Sequence, residues 1–339
     1  MNLYGLELCC PACGDDFAES TGELTCRGCG CRFPVVAGIP DLRIFPDPYI
    51  AMEDDRKKGA MLEARGDGET FSSLLDYYYS ITSVVPPRHA QLYKRGLLAG
   101  PERAAAALEL WESASGAAPG GRLLEIGCGT GPLLLAAARR GYQPAGVDIA
   151  FRWLVAAKKR LSEQGLKLPL VCACAEALPF RGEMFDRVAL DSAIEMVADQ
   201  PRTMREAHRV LAPNGRLFMA TPNRFSLGPD PHIGVPAGGM WPKSWVAALA
   251  RRQGAIPPAR NLLWAKSLSR LIRGAGFTGA RLDLPRIADA QLRNLSGGLR
   301  AAAALYGAAQ KLPLTRPGLL LVGPLLHATA CKQRIAEPN

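Results

Sequence analysis

The chain has 339 residues, 48% of them apolar, and carries 41 Lys and Arg against 31 Asp and Glu. This composition excludes a disordered or fibrous chain, and the length suffices for one large domain plus a small one. The basicity is local: residues 251–339 hold 14 basic and 3 acidic side chains, a balance of +11, which leaves 27 basic and 28 acidic to residues 1–250.

In chain order, the first eight residues carry no basic or apolar run of signal-peptide type. The longest apolar stretch, 318–331, is interrupted by Gly323-Pro324. A cytoplasmic protein with reduced thiols is expected. Six of the ten cysteines fall within the first 31 residues. Cys10-x-x-Cys13 and Cys26-x-x-Cys29 are separated by twelve residues, a spacing that sets four thiolates on two turns facing one metal. Residues 1–45 therefore read as a zinc ribbon with Cys10, Cys13, Cys26 and Cys29 as ligands, and Cys9 and Cys31 as competitors for a ligand position. A unit this short has too little core to fold unaided, whereas a structural zinc supplies an apparent ~10–16 kcal/mol of folding free energy. The ribbon is expected to serve as a scaffold.

Residues 46–100 read as a linker leading into helices, with a charged run at Glu53-Asp54-Asp55-Arg56-Lys57-Lys58 and an aromatic one at Tyr77-Tyr78-Tyr79. Residues 101–115 form an Ala- and Leu-rich helix that Pro119-Gly120-Gly121 ends. Short apolar runs then predict strands at 122–126, 144–147, 169–173, 187–190 and 216–220, alternating with helical or loop segments. A helix at 264–274, a sixth strand at 280–284 and a seventh at 325–331 complete the pattern. The alternation predicts a parallel sheet covered by helices on both faces. Residues 101–339 thus form an α/β domain, with long insertions at 222–261 and 286–321 that serve function or a cap. The basic C-terminal quarter attracts nucleic acid, anionic lipid or a phosphorylated substrate, or is a solvated Arg- and Ala-rich helix face.

The first strand runs into Glu125-Ile126-Gly127-Cys128-Gly129-Thr130-Gly131. Glycines there let the backbone turn sharply and approach a ligand at the C-terminal edge of the sheet. The spacing is GxGxG rather than the GxGxxG of a dinucleotide site, and Glu125 would repel a pyrophosphate but suits a cationic ligand. The second strand ends at Asp148, 23 residues beyond Glu125, where a carboxylate can accept both ribose hydroxyls of an adenosine. The third ends in Ala173-Cys174-Ala175-Glu176-Ala177-Leu178-Pro179-Phe180 and the fourth in Phe185-Asp186-Arg187-Val188-Ala189-Leu190-Asp191. Four successive strand ends supply what a nucleoside with a charged tail requires.

In these motifs the sequence resembles the class I S-adenosylmethionine-dependent methyltransferases, over residues 115–285 and the final strand. The resemblance implies a Rossmann-like seven-stranded sheet, here with an N-terminal zinc ribbon and a C-terminal cap insertion. It implies that Gly127 and Gly129, beside Glu125, lie against the methionine portion, that Asp148 holds the ribose and that Ile149 packs on adenine. Ala175 and Glu176 would meet the adenine edge, and Asp191 the methionine amino group. Cys174 stands where similar members commonly place Asp. Asp186 reads as structural, and Glu176 has a second reading as a cap of the following turn.

Methyl transfer is an in-line displacement, so the enzyme chiefly positions the acceptor and excludes water. An oxygen or carbon acceptor must also lose a proton. Among His89, His208, His232 and His327, only His232 lies in the loop that follows the fifth strand, which makes it the candidate catalytic base; a loop-fixing hydrogen bond is its other reading. His208 and His327 read as packing residues. Tyr77 to Tyr79, Trp241 and Trp245 read as packing side chains or walls of an acceptor pocket.

The ribbon resembles the zinc-ribbon family that activates RNA and protein methyltransferases, through Phe33-Pro34-Val35 and Gly38-Ile39-Pro40. A ribbon ahead of such a catalytic domain also occurs in certain ribosomal-RNA guanine methyltransferases, which supplies the alternative function and RNA as the alternative partner. Thr221-Pro222-Asn223-Arg224 and the apolar stretch 313–326 resemble methyltransferases of quinone, lipid and secondary-metabolite pathways. The expected activity is therefore transfer from S-adenosyl-L-methionine to a small or amphipathic acceptor, with structural zinc and peripheral membrane contact through the basic quarter.

Overall fold

Hydrophobic alternation in the strands decides the layering. In the computed structural model, which describes residues 2–20, 22–82, 85, 87–116, 118–228, 230, 234–285 and 297–333, consecutive strand residues feed opposite cores. Leu124, Val188, Leu190, Leu217 and Met219 enter one cluster and Leu123, Ala189 and Phe218 another, as the period-2 pleat requires.

The main sheet contains β7 (Gly121–Ile126), β8 (Tyr142–Asp148), β9 (Leu170–Cys172), β10 (Phe185–Asp191), β11 (Leu211–Pro222), β12 (Thr278–Asp283) and β13 (Leu325–Cys331), in the order β12-β13-β11-β10-β7-β8-β9. The five strands from β7 to β11 are parallel, but β13 pairs antiparallel with both β11 and β12. The sheet is therefore mixed, which corrects the all-parallel expectation. The reason is connective: the segment after β12 carries α10 (Gly297–Gln310) and α11 (Arg316–Val322) and re-enters as β13 from the edge at which β12 left. Helices α4 (Gly100–Ser115) and α5 (Pro132–Arg139) pack on one face, α7 (Gln200–Val210) and α9 (Ala265–Gly274) on the other. Of the expected insertions, 286–296 and His232 lie outside the described residues. Among the described residues no helix is long and apolar enough to cross a membrane.

At the β9 edge sits the cysteine-rich unit. β1 (Asn2–Leu3) pairs with β2 (Leu6–Glu7), and β3 (Phe17–Ser20), β4 (Glu23–Cys26), β5 (Arg32–Val36) and β6 (Ile39–Pro40) form an antiparallel sheet. Its apolar side chains Leu8, Phe17, Leu24 and Phe33 join the same core cluster as Leu178, Phe180 and Phe185. Two backbone bonds fasten it: the Cys9 amide donates to the Pro179 carbonyl at 3.0 Å, and Leu42 donates to Cys172 at 2.7 Å. The exit of the small sheet thereby extends the large one.

Residues 46–100 contain α1 (Met52–Gly66), α2 (Phe71–Ser80) and α3 (Pro87–Leu98), of which α1 and α2 pack on α6 (Phe151–Ser162). Gly59 is required at the α1–α6 crossing, because a Cβ there would lie 2.3 Å from the Phe151 ring. Tyr78 packs against Trp153, ring centroids 4.5 Å apart, so the tyrosine run serves packing.

Beneath α1 lies a buried ion network. Arg43 forks onto Asp41 (Nε to Oδ1 2.8 Å, Nη2 to Oδ2 2.7 Å) and reaches Asp55 (2.7 Å) and the Ile149 carbonyl (2.9 Å) through Nη1. Asp55 in turn accepts from the Phe151 amide (2.7 Å) and Arg152 Nη1 (2.8 Å), and Arg152 also bonds Asp47 at 3.1 Å. Burial pushes Asp41 up, but Arg43 and Arg56 outweigh it and hold the carboxyl below its usual range. The side chains of Arg43, Asp41 and Asp55 are fully buried, so removing one partner strands charge in the interior. Arg43→Ala is expected to cost about 3–5 kcal/mol, seen as a lower urea midpoint; Arg43→Lys should recover only part, since an ammonium cannot reproduce the fork.

Candidate active site and cysteine cluster

The C-terminal ends of β7 to β11 open onto a cavity of about 1000 Å³. β7 ends in the glycine loop, where the amides of Gly127 and Cys128 both donate to the Val147 carbonyl at 2.7 and 3.0 Å and fold the loop over β8. Gly127 has φ +77°, and a Cβ on it would stand 2.4 Å from Ala193 Cβ. Only glycine lets β7 and the turn after β10 approach this closely.

Asp148 closes β8. Its Oδ2 accepts from the Gly129 amide at 2.7 Å and its Oδ1 from the Ala150 amide at 2.8 Å, so the carboxylate is held in one orientation at the cavity wall. Burial raises it to about 6, despite the two amides that pull the other way. Glu125 lies behind the loop. Burial first, then the carboxylates of Asp191 and Asp148, raise it well above its usual range, and its Oε2 has no hydrogen-bond partner in the structure. Burial also raises Asp191, while Arg103 opposes the shift. Glu195, bonded by the Thr221 hydroxyl at 2.9 Å, is lifted by burial to about 7.

Of the residues expected at the site, Gly127, Asp148, Ile149, Ala175 and Glu176 line the cavity. Gly129 acts one step back through Asp148, and Asp191 adjoins the lining residue Ser192. The Glu176 carboxylate accepts from the amides of Ala198 (2.9 Å) and Asp199 (3.2 Å), so it fixes the turn that leads into α7. Cys174 is fully buried, with its thiol 3.6 Å from the Phe45 carbonyl. Asp186 binds the Arg122 amide at 2.8 Å and is structural. His208 packs edge-on against Phe277, and burial pushes His327 in the core down to about 4.

Trp241, read from the sequence as packing or pocket wall, also lines the cavity, whereas much of the remaining lining is not apparent in the sequence. Phe45, at the end of the expected ribbon, and residues 46–49, which read as linker, form one wall, and Arg152 and Trp153 lie beside it. The far end is built by the 222–261 insertion, through Arg224, Gly238, Trp241, α8 (Lys243–Arg252) and 257–262. Pro-Asp-Pro-Tyr at 46–49 is the one local signal, a rigid turn with a buried acid, and it carries no mark of a pocket.

In the ribbon, the sulfurs of Cys10, Cys13, Cys26 and Cys29 all lie within 4.8 Å of one another. Two turns shape the cluster: Gly14 donates to the Cys10 carbonyl and Gly30 to that of Cys26. Tetrahedral zinc with bonds of ~2.3 Å implies sulfur separations of ~3.8 Å; the Cys10–Cys29 and Cys13–Cys26 pairs stand at 3.7 and 3.3 Å. The donor set is compatible with a zinc site. Cys9 and Cys31 are outside this cluster.

Residues 124–219 match the family described as "Methyltransferase domain", and the chain contains a class I S-adenosylmethionine-dependent methyltransferase domain. It is 38% identical to a ubiquinone biosynthesis O-methyltransferase of Parvibaculum lavamentivorans over 30% of this chain and 41% of that protein. It is 37% identical to a 2-phytyl-1,4-naphtoquinone methyltransferase of a Nostoc species over 30% and 47%. The chain spans less than half the length of these curated relatives. Among solved structures, a SAM-dependent methyltransferase from Thermotoga maritima is 19% identical with a TM-score of 0.47, covering 73% of this chain and 97% of that one.

The ribbon exit supplies both Arg43 to the buried network and residues 45–49 to the cavity wall. Removing zinc from the cysteine cluster with a chelator is therefore expected to raise amide hydrogen exchange across 39–49 and in the first turn of α6, not only within the ribbon. Exchange that rises only before residue 39 would show the two parts to be independent.

Proposed function

We propose that this chain is an S-adenosylmethionine-dependent methyltransferase acting on a small or amphipathic acceptor of quinone, lipid or secondary-metabolite type. The observation that carries the reading is a single cavity with two unlike ends. One end is Asp148, Ile149 and Ala175 at β8 and β9, fitted to an adenosine. The other is the largely apolar insertion beyond β11. β8 and β11 are three strands apart, about 14 Å at the usual ~4.8 Å spacing, so a ligand on β8 can extend a charged tail across β7 and β10 toward an acceptor on β11.

Bound S-adenosylmethionine would supply an electrophilic methyl group on a sulfonium. Asp148, held by two amides, would accept the ribose hydroxyls; Ile149 would cover the adenine, and Ala175 and Glu176 would border its edge. Gly127 and Gly129 would leave room for the methionine portion, with Glu125 and Asp191 as nearby carboxyl groups. The unpartnered Glu125 oxygen and the open space that a Cβ at Gly129 would meet support this fit. The chain's remaining task is to hold the acceptor in line and keep water out, which the walls from 45–49 and 238–262 are shaped to do. His232 of the same insertion is the proposed base for an oxygen or carbon acceptor.

The quinone-directed relatives support the acceptor class. The apolar walls that Met196, Val246 and Leu262 give this end of the cavity support a small acceptor. Leu305, Leu312, Leu314 and Leu321 are exposed on and beside α10 and α11, near Lys311 and Arg316. This surface supports peripheral membrane contact, and a structural zinc in the ribbon completes the proposed cofactors.

Titration calorimetry with S-adenosylhomocysteine tests the reading. Asp148→Ala should weaken binding by about 10- to 100-fold, the loss of hydrogen bonds to a charged group worth ~1.5–3 kcal/mol; equal affinity in both proteins would refute it. The pH dependence has a definite sign. With Asp148 titrating at about 6 in the free protein, the accepting carboxylate is lost on acidification, so affinity should fall about tenfold between pH 7 and pH 5. That slope should flatten in Asp148→Asn.

A further inference from the structure

The acceptor end of the cavity has a charge pattern that its apolar walls do not explain. Three acids occur among the described residues that line the cavity, and each is committed elsewhere: Asp47 to Arg152, Asp148 to the amides of Gly129 and Ala150, and Glu176 to those of Ala198 and Asp199. At the insertion end stand Arg224, Lys243 and Arg260. Arg260 is ion-paired with the buried Asp230. Arg224 and Lys243 are both exposed at the cavity wall and have no acidic partner among the described residues; Lys243 donates to Asn261 Oδ1 at 2.9 Å. Two like charges held on one cavity without a counter-charge repel each other and favour any anion that enters between them. Trp241, Val246, Pro257 and Leu262 supply an apolar surface on the same end.

We propose that the acceptor is an amphipathic oxyanion. Its carboxylate or phosphate sits at the rim between Arg224 and Lys243, and its apolar body extends inward past Trp241 and Val246. This inference rests on the methyltransferase reading only for the word acceptor; the site itself is defined by the chain's own residues. The orientation leaves the methylated atom on the apolar part of the molecule, directed toward the β7–β10 end.

The test uses the full chain and three probes of one ring system: 2-naphthoate, 2-naphthyl phosphate and the neutral methyl 2-naphthoate. Each is titrated calorimetrically with and without saturating S-adenosylhomocysteine. The carboxylate or the phosphate should bind at least tenfold more tightly than the ester, and whichever is preferred identifies the anionic group. The preference should disappear in Arg224→Gln/Lys243→Gln, while the affinity for S-adenosylhomocysteine stays within twofold of the parent. Equal binding of anion and ester, a preference that survives the double substitution, or no binding of any probe would overturn the proposal. Failure of S-adenosylhomocysteine to bind would count against the methyltransferase reading, and the probe titrations made without it would still decide this one.

Discussion

The ion network around Arg43 is the constraint on which the rest of the structure depends. Five charged side chains, Asp41, Arg43, Asp47, Asp55 and Arg152, are buried together, and charges can leave water only where nearly every donor and acceptor is met. The segments that meet those demands are the ribbon exit, the start of α1 and the start of α6. The α6 N-cap is Ala150, which has no side-chain acceptor to offer. Asp55 of α1 takes its place by accepting from the Phe151 and Arg152 amides. The loop bearing Asp148 and Ile149 is thus pinned from behind, since Arg43 also bonds the Ile149 carbonyl. A carboxylate proposed to hold a ribose is oriented by residues about a hundred positions earlier in the chain.

This coupling changes the place of the ribbon. As a stretch of sequence it looks like a zinc-stapled scaffold that could be detached. In the fold its apolar side chains share a core cluster with Phe180 and Phe185, its exit extends the main sheet through Leu42, and the residues just after it wall the cavity. The four-cysteine unit, core packing and cavity shape are therefore linked through one short segment, 39–49.

The two ends of the cavity differ in what comparison can say about them. The matched family region, 124–219, contains the strand ends from β7 to β10 and most of β11. The insertion that builds the far end of the cavity begins at residue 222, beyond that region. The shared part speaks to cofactor chemistry. Arg224, Trp241 and Lys243 lie in the insertion, outside the matched region, and give the far end of the cavity its own charge and shape.

Much of this was legible in the sequence. The glycine loop, Asp148 and the four-cysteine cluster are local patterns, because a tight turn, a strand end or a metal knuckle is made by residues a few positions apart. The period-2 strands were equally plain. The cavity wall from Phe45 to Tyr49 and the place of Arg152 were not, because each depends on which distant residues lie opposite. The antiparallel entry of β13 was also hidden: hydrophobic alternation is the same whichever way a strand runs. By itself the sequence determined the layers, the glycine loop and the four-cysteine cluster, since these follow from periodicity and spacing. Only the tertiary structure decided that the ribbon exit closes the cavity and that Arg224 and Lys243 line it together, since those depend on where the sheet order and the insertion bring remote residues together.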